Sequence, residues 1–384
     1  MAFRDFSVSA FRRFGDLGFW HWRRAGVLAL AVLLSCLSAE EIHVAFCLDN
    51  NFAEPTGVAA YSLCKNKASD DRLVVHVVMT EPLPEDHRRK FLQLERLFPG
   101  QVTVYIYDDM EKMRPLLRSL EGIKGRAWPI AASARLLLDR VLPENLPKVI
   151  YLDGDILVLT SLGELWRKLP LAPYALAGVP DGYCQRPDQL SQGIQKEHME
   201  SLRTYAPGWV SPFYINSGVL LLDLDGIRQE QLFPKTIQWS VEHHPKFPDQ
   251  DAINVIFRDR ILECEGKWNT FSTATQASNG ISVMHFAGST NPWKINFFLL
   301  VDHWWQPRRW PQLWKCIMAH PPTLWHHYRQ ESPWRRPAGS CLVELELFRT
   351  KKQRAVSIPL CALLAISFLL FLWLCRSRVK RRRN

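Results

Sequence analysis

Between residues 42 and 152 the chain alternates apolar, strand-length runs with longer segments of helical period, and that alternation admits few folds. Residues 42–48 read as a buried strand, and 73–79, 102–107 and 149–152 as further strands, the last running into Asp153. Residues 54–66, 84–98 and 130–141 read as helices, the first beginning at Pro55 and the second amphipathic. A strand–helix order of this kind predicts an α/β fold with a mostly parallel central sheet and helices on both faces. Such sheets bind ligands in the crevice at the carboxyl ends of their strands. The chain contains neither a Gly-x-Gly-x-x-Gly turn nor a Walker-type phosphate loop, so those two fingerprints do not account for the crevice.

Several polar groups fall at those strand ends. Asp153-Gly154-Asp155 lies between the apolar runs Val149-Ile150-Tyr151-Leu152 and Ile156-Leu157-Val158. Two carboxylates flanking a glycine can approach one divalent cation, and glycine lets the backbone come close. A surface turn is the simpler account of an acidic pair, but it rarely sits so deep in apolar sequence. His285 ends the run Ile281-Ser282-Val283-Met284. By itself it reads as a satisfied strand-end histidine; as a third ligand it favours Mn2+ over Mg2+, because imidazole suits the softer ion. Phe247-Pro248-Asp249-Gln250-Asp251 reads as a helix start with Asp249 as N-cap. Tyr214-Ile215-Asn216-Ser217-Gly218 reads as a polar turn directly before a buried strand.

Charge speaks to partners. The net charge is +10, of which the first 24 residues carry +3 and the last nine carry +6. A body left at +1 is not the basic surface of a nucleic-acid-binding domain. The charge flanks apolar ends instead. Residues 25–37 form a run with the shape of a signal peptide's apolar region or an N-terminal anchor. Residues 358–375 give 18 positions without a charge, followed at once by the basic tail 376–384, which predicts a single C-terminal membrane helix. Nine Cys show no zinc-type spacing and do not reveal a redox compartment. Residues 293–334 hold seven of the 15 Trp, interleaved with Arg308, Arg309, Arg335 and Arg336. A membrane-interface or sugar-stacking surface and simple packing of C-terminal helices both account for them.

In order and spacing these segments together resemble the family 8 glycosyltransferases, above all the bacterial lipopolysaccharide galactosyl- and glucosyltransferases and their eukaryotic relatives. The likeness runs from about Ile42 to Trp293. It implies a GT-A (Rossmann-like) nucleotide-sugar-binding fold over residues 40–295, a UDP-hexose donor, Mn2+ and retention of anomeric configuration. It further implies that Asp49 and Asn51 meet the nucleotide, Arg135 the donor sugar and phosphate, and Asn216 the sugar. Asp153, Asp155 and His285 match the metal ligands; Asp249, Gln250 and Asp251 match the cluster around the anomeric carbon. The family's late motif, His-x-x-Gly-x-x-Lys-Pro-Trp, runs here from His285 through Gly288 to Asn291-Pro292-Trp293, with Asn291 where the lysine belongs. That change removes a cation from the departing diphosphate and leaves a second reading, a catalytically impaired relative that binds nucleotide-sugar or glycan.

The expected organisation is a leader or anchor at 1–39, the transferase domain, a Trp/Arg-rich extension at 296–357 and the membrane helix. The expected partners are the donor, a glycan, glycolipid or glycoprotein acceptor, and a membrane. This topology places the enzyme in the ER or Golgi lumen of a eukaryote, or on the inner membrane of a bacterium.

Overall fold

The computed structural model describes residues 40–123, 129–168, 171–181, 200, 202–207, 214–272, 280–288, 291–293 and 321–336. The strands are β1 Glu41–Leu48, β2 Arg72–Met79, β3 Val102–Tyr107, β4 Lys148–Leu152, β5 Ile156–Val158, β6 Leu176–Pro180, β7 Ile215–Asp223, β8 Ile261–Glu263, β9 Thr270–Phe271 and β10 Val283–His285. The helices used below are α1 Ala53–Asn66, α2 Glu85–Leu97, α3 Met110–Arg118, α4 Ile130–Ser133, α5 Leu138–Val141, α6 Gly163–Lys168, α7 Leu224–Glu230, α8 Leu232–His243, α9 Pro248–Ile256 and α10 Pro321–Glu331.

The main sheet has seven strands in the order β3-β2-β1-β4-β7-β6-β8. Its β1–β2, β2–β3, β1–β4 and β6–β8 pairs are parallel, and β7 runs antiparallel to both neighbours. This is the mixed α/β, mostly parallel sheet expected from the strand–helix order. Two apolar clusters lie on its opposite faces, one around Phe46, Val75 and Val77, the other around Ala45, Val78 and Tyr151. Burial on both faces is why the first strands read as unbroken apolar runs.

The helix read over 130–141 is corrected. It breaks into α4, a tight 3-10 turn at Ala134–Leu137, and α5. Ala134, Arg135, Leu136 and Leu137 are all buried, and a regular helix with one face on a core cannot bury four successive side chains. The polar turn read at 216–218 is also corrected: these residues already lie in β7. At its start Asn254 stands in for a neighbouring strand, accepting the Ile215 N–H at 2.8 Å and donating to its carbonyl at 2.9 Å. Asp249 is not the N-cap of α9. Phe247 is, Pro248 takes the first helical position, and Asp251 reaches back to accept the Phe247 N–H at 2.9 Å.

A second, three-stranded sheet has the order β5-β10-β9. Its antiparallel β5–β10 pairing sets His285 opposite Ile156, one residue beyond Asp155. Helix α10 packs along α1, in the same compact unit as residues Met1–Lys294. Trp293, Trp325 and Trp334 belong to or pack against the apolar core, so for these three the packing account holds; Trp304, Trp305, Trp310 and Trp314 lie outside the described residues. The residues 295–297 and 335–384 form a second unit, of which only Arg335 and Arg336 are described. Among the described residues no helix is long and apolar enough to cross a membrane. The predicted span at 358–375, the run at 25–37 and the basic tail lie outside the described residues.

Candidate active site

The crevice at the carboxyl ends of β1, β4 and β6 meets the end of β10 and the first residues of β7. Asp153 follows β4, and its N–H donates to the Gly218 carbonyl at 2.8 Å, tying the acidic turn to β7. The Phe286 N–H donates to the Asp155 carbonyl at 2.8 Å, tying the same turn to β10. Two backbone bonds thus bring three distant segments to one point.

There, Asp153, Asp155 and His285 hold ligand atoms all within 4.8 Å of one another. His285 Nε2 lies 3.2 Å from Asp155 Oδ1 and 3.8 Å from Asp153 Oδ2. The other ring nitrogen, Nδ1, is 2.9 Å from Asn269 Oδ1. An amide oxygen only accepts, so Nδ1 carries the proton and Nε2 faces the carboxylates. Asp153 divides its oxygens: Oδ1 accepts from Tyr151 OH at 2.6 Å and pairs with Arg135 Nη2 at 3.0 Å, leaving Oδ2 for the cluster. Gly218 makes room, because a Cβ there would stand 2.4 Å from His285 Cε1 and 2.9 Å from Asp153 Oδ2. Gly154 has the same constraint on its other side, where a Cβ would meet Thr56 Oγ1 at 2.2 Å. Two carboxylates and an oriented imidazole in a space kept clear by glycine fit a divalent cation.

Arg135 is 4% exposed, which a guanidinium tolerates only when paired. Its Nε lies 3.1 Å from Asp249 Oδ2, Nη1 donates to the Ser217 carbonyl, and the group stacks 4.5 Å over the Tyr151 ring. Burial opposes its charge, but Asp153, Tyr151 and Asp249 outweigh burial and hold it above its ordinary pKa. Burial raises the Asp153 carboxyl, with Arg135 opposing and Asp155 adding. Asp155 is also pushed up by burial, but His285 outweighs that and brings it below the usual range. Reciprocally, burial lowers His285 and Asp155 more than offsets it.

Gln250 is the hub of the neighbouring network. Its Oε1 accepts from Ser217 N–H at 3.0 Å and Asn216 Nδ2 at 3.1 Å; its Nε2 lies 3.1 Å from both Asp181 Oδ2 and Tyr214 OH. Asn216 Oδ1 accepts from Gly218 N–H at 2.9 Å and Asn269 Nδ2 at 2.8 Å, which joins Gln250 to the His285 support. Asp251 is fully buried: Oδ1 accepts from Tyr214 OH at 2.5 Å and Oδ2 from the Phe247 N–H.

The network therefore gathers Arg135, Asp153, Asp155, Asn216, Asp249, Gln250, Asp251 and His285. The other four predicted residues stand on two flanking loops. Asp49 caps the turn Asn50–Phe52 after β1, accepting the Phe52 N–H at 3.1 Å, and Asn51 on that turn is exposed. Gly288 and Asn291 follow β10, Gly288 at a left-handed φ of 79°. Phe52 and Trp293 join the two loops edge to face at 5.6 Å. Asp181, Tyr214, Ser217 and Asn269 were missed as site residues. Asp181 follows β6 as Asp153 follows β4, so the strand-end rule contained its signal; Asn269 ends an isolated 3-10 turn, which carries none.

The sequence profile of glycosyl transferase family 8 matches residues 43–296. General stress protein A of Bacillus subtilis (strain 168) is 25% identical over 67% of this chain and 89% of its own. Lipopolysaccharide glucosyltransferase WaaO of Escherichia coli (strain K12) is 25% identical over 66% of this chain and 72% of its own. The crystal structure of galactosyltransferase LgtC in complex with donor and acceptor sugar analogues shares the fold, with a TM-score of 0.54 at 22% identity over 71% of this chain and 95% of that one.

Proposed function

This chain belongs to glycosyl transferase family 8, and from that premise we propose that it is a retaining hexosyltransferase moving galactose or glucose from a UDP-sugar to a glycan or lipid-linked acceptor. The observation that carries the reading is the single hydrogen-bonded network joining the Asp153–Asp155–His285 cluster to Gln250 through Asn269 and Asn216. Metal-type ligands and a sugar-facing amide are thereby held in one frame.

Electrostatics argue for a cation. Among the described residues, the network holds the carboxyls of Asp153, Asp155, Asp181, Asp249 and Asp251 against one guanidinium and one imidazole. An anionic diphosphate would be repelled from such a site unless a divalent ion accompanied it. Asp153, Asp155 and His285 would hold that ion, and the nitrogen ligand supports Mn2+ ahead of Mg2+. When bound, the ion supplies charge neutralisation to the leaving diphosphate. Arg135 stays protonated beside it and orients the donor; Asp49 and Asn51 face the nucleotide on one flank, Gly288 and Asn291 the diphosphate on the other.

Retention is assigned to a front-face reaction. Both Asp251 oxygens are taken by Tyr214 and Phe247, which favours a supporting part for Asp251 over attack on the anomeric carbon. Gln250, fixed by four partners, presents its amide beside the reacting centre, and Asp249 holds Arg135 and Ser217. Trapping a covalent sugar on Asp251 would overturn this.

Residues 358–375 are proposed as a single membrane span, with the transferase body lumenal in a eukaryote or attached to the inner membrane in a bacterium. Asn291 favours one alternative, an impaired relative that binds donor without efficient transfer. The test is UDP release by the purified protein with UDP-galactose or UDP-glucose, with and without Mn2+. Mn2+-dependent release from one donor supports the transferase and names its sugar. Binding without release moves the reading to the impaired relative, and absence of both overturns it.

A further inference from the structure

Helix α10 lies beyond the segment 43–296 that the family profile matches, yet its aromatic side chains are part of the core. Trp325 is 0% exposed, and Trp334, just past the helix end, is 3% exposed. Trp334 presses on Gly57 of α1, where its ring leaves no room for a Cβ, and its Nε1 lies 3.2 Å from His87 Nδ1. Thr56, the preceding residue of α1, is fully buried with its Oγ1 against Gly154, the middle of the acidic turn. Helix α1 is thus held by Trp334 at one residue and by the acidic turn at the one before.

A second set of contacts reaches the same glycine through rings. Trp325 packs on Trp293 with ring centres 5.7 Å apart, and Trp293 meets Phe52 edge to face. The Phe52 ring lies on the acidic turn, its Cδ1 3.3 Å from where a Cβ on Gly154 would stand. Phe52 is also tied to Asp49, whose carboxylate and carbonyl both accept its N–H at 3.1 Å. The loop after β1, the loop after β10 and the acidic turn therefore meet at one aromatic contact. Phe52 and Trp293 are each only partly buried, so their positions depend on what stands behind them. Behind Trp293 stands Trp325, on a helix fixed against α1. The Trp325 Nε1 has no hydrogen-bond partner among the described residues, so this indole acts as a ring and not as a donor.

We propose that Trp325 is a positioning residue for the nucleoside diphosphate donor: by backing Trp293 it holds the loop after β10 against Phe52 and, through Phe52, against the Asp153-Gly154-Asp155 turn. Loops already in place bind more tightly, because less loop and side-chain freedom is lost when the ligand arrives. This rests on the donor-site reading above.

The test uses the full chain, UDP as probe and Mn2+ present throughout. Trp325→Leu should weaken UDP binding about tenfold, within the range for residues that touch neither ligand. The donor KM should rise alike, with kcat held within about twofold, because uniform binding is lost. Trp325→Phe keeps a ring and removes only an unpaired N–H and some area, so its UDP affinity should stay within about threefold of the unaltered chain. Phe52→Leu cuts the same route at its other end, and the double variant should lose no more than the worse single, as for two groups acting as a unit. Should Trp325→Leu not fold, Trp325→Met, which keeps more of the volume, takes its place in the cycle. A lower melting temperature with unchanged UDP affinity would make Trp325 a structural brace and overturn the proposal. Losses that add in full would overturn it too, because the two rings would then act separately. Failure of the unaltered chain to bind UDP would instead overturn the donor-site reading, and the proposal with it.

Discussion

His285 and Asn269 form the hinge of the site: the imidazole Nδ1 donates to the Asn269 amide oxygen at 2.9 Å, and this bond fixes which nitrogen faces the carboxylates. Asn269 is itself held, its Nδ2 donating to Asn216 Oδ1 at 2.8 Å. Asn269→Ala should therefore lower Mn2+ affinity by roughly 10–100-fold, the usual effect of removing such a partner. Calorimetric titration of Mn2+ into the two proteins measures it, and equal affinities would show that Asn269 does not orient the ligand.

Gly218→Ala places a methyl group 2.4 Å from His285 Cε1. The ring must move, and a displacement of about 1 Å at a reacting site costs on the order of 100-fold. Metal-dependent UDP release should fall by at least that factor while the circular dichroism of the folded protein is kept. Retention of full activity would mean the ring has slack that the contacts do not suggest.

Asp153→Asn and Asp155→Asn should each abolish Mn2+-dependent turnover with folding intact, because neither amide replaces an anionic ligand. Asn291→Lys, by contrast, should preserve or raise turnover by restoring a cation beside the leaving diphosphate. Single-turnover rates with saturating donor separate these outcomes. Full activity in either Asp variant would sink the metal assignment, and a large loss in Asn291→Lys would give Asn291 a function of its own.

Arg135→Ala leaves Asp153 and Asp249 facing each other's charge in a buried site, and the expected loss is about 3–5 kcal/mol of stability. Arg135→Lys should recover only part, since one ammonium cannot span Asp153, Asp249 and the Ser217 carbonyl as the guanidinium fork does. Denaturant unfolding of both variants gives the comparison; a loss under about 1 kcal/mol in the Ala variant would place this pairing among weak surface bridges.

His76, buried in β2, bonds His43 at 3.0 Å and Tyr107 at 2.9 Å. Burial first, and the His43 charge second, push its pKa down to about 3. The unfolded chain binds this proton near pH 6.5, so the stabilisation is complete above pH 6.5 and is lost as pH falls toward 3, at up to about 1.4 kcal/mol per pH unit. Stability measured between pH 7.5 and 4.5 should fall less steeply in His76→Gln than in the unaltered chain. Identical slopes would show that His76 does not titrate on unfolding.

What could be read from the residues is what short-range periodicity carries. Runs such as Val74 to Val78 are buried on both faces of a parallel sheet, so β1, β2 and β4 emerged with boundaries close to those observed; β3, half-exposed at the sheet edge, emerged from its β-branched and aromatic residues. The acidic turn stood out for the same reason, two charges interrupting sequence that only a core could hold. The reversed β7, the broken helix at Ala134–Leu137 and the second sheet left no comparable mark, because each depends on pairing with segments far along the chain. Cap assignment failed at Asp249 because Arg135 and Ser217, distant in sequence, claim that carboxylate. Asn269 and Asn254 act through amides that local pattern cannot distinguish from any loop polar group. Local pattern carried the first four strands and the kinds of ligand available at their ends. Tertiary structure decided which atoms meet, because a hydrogen-bond network takes its geometry from strand register, and register is a property of segments in contact.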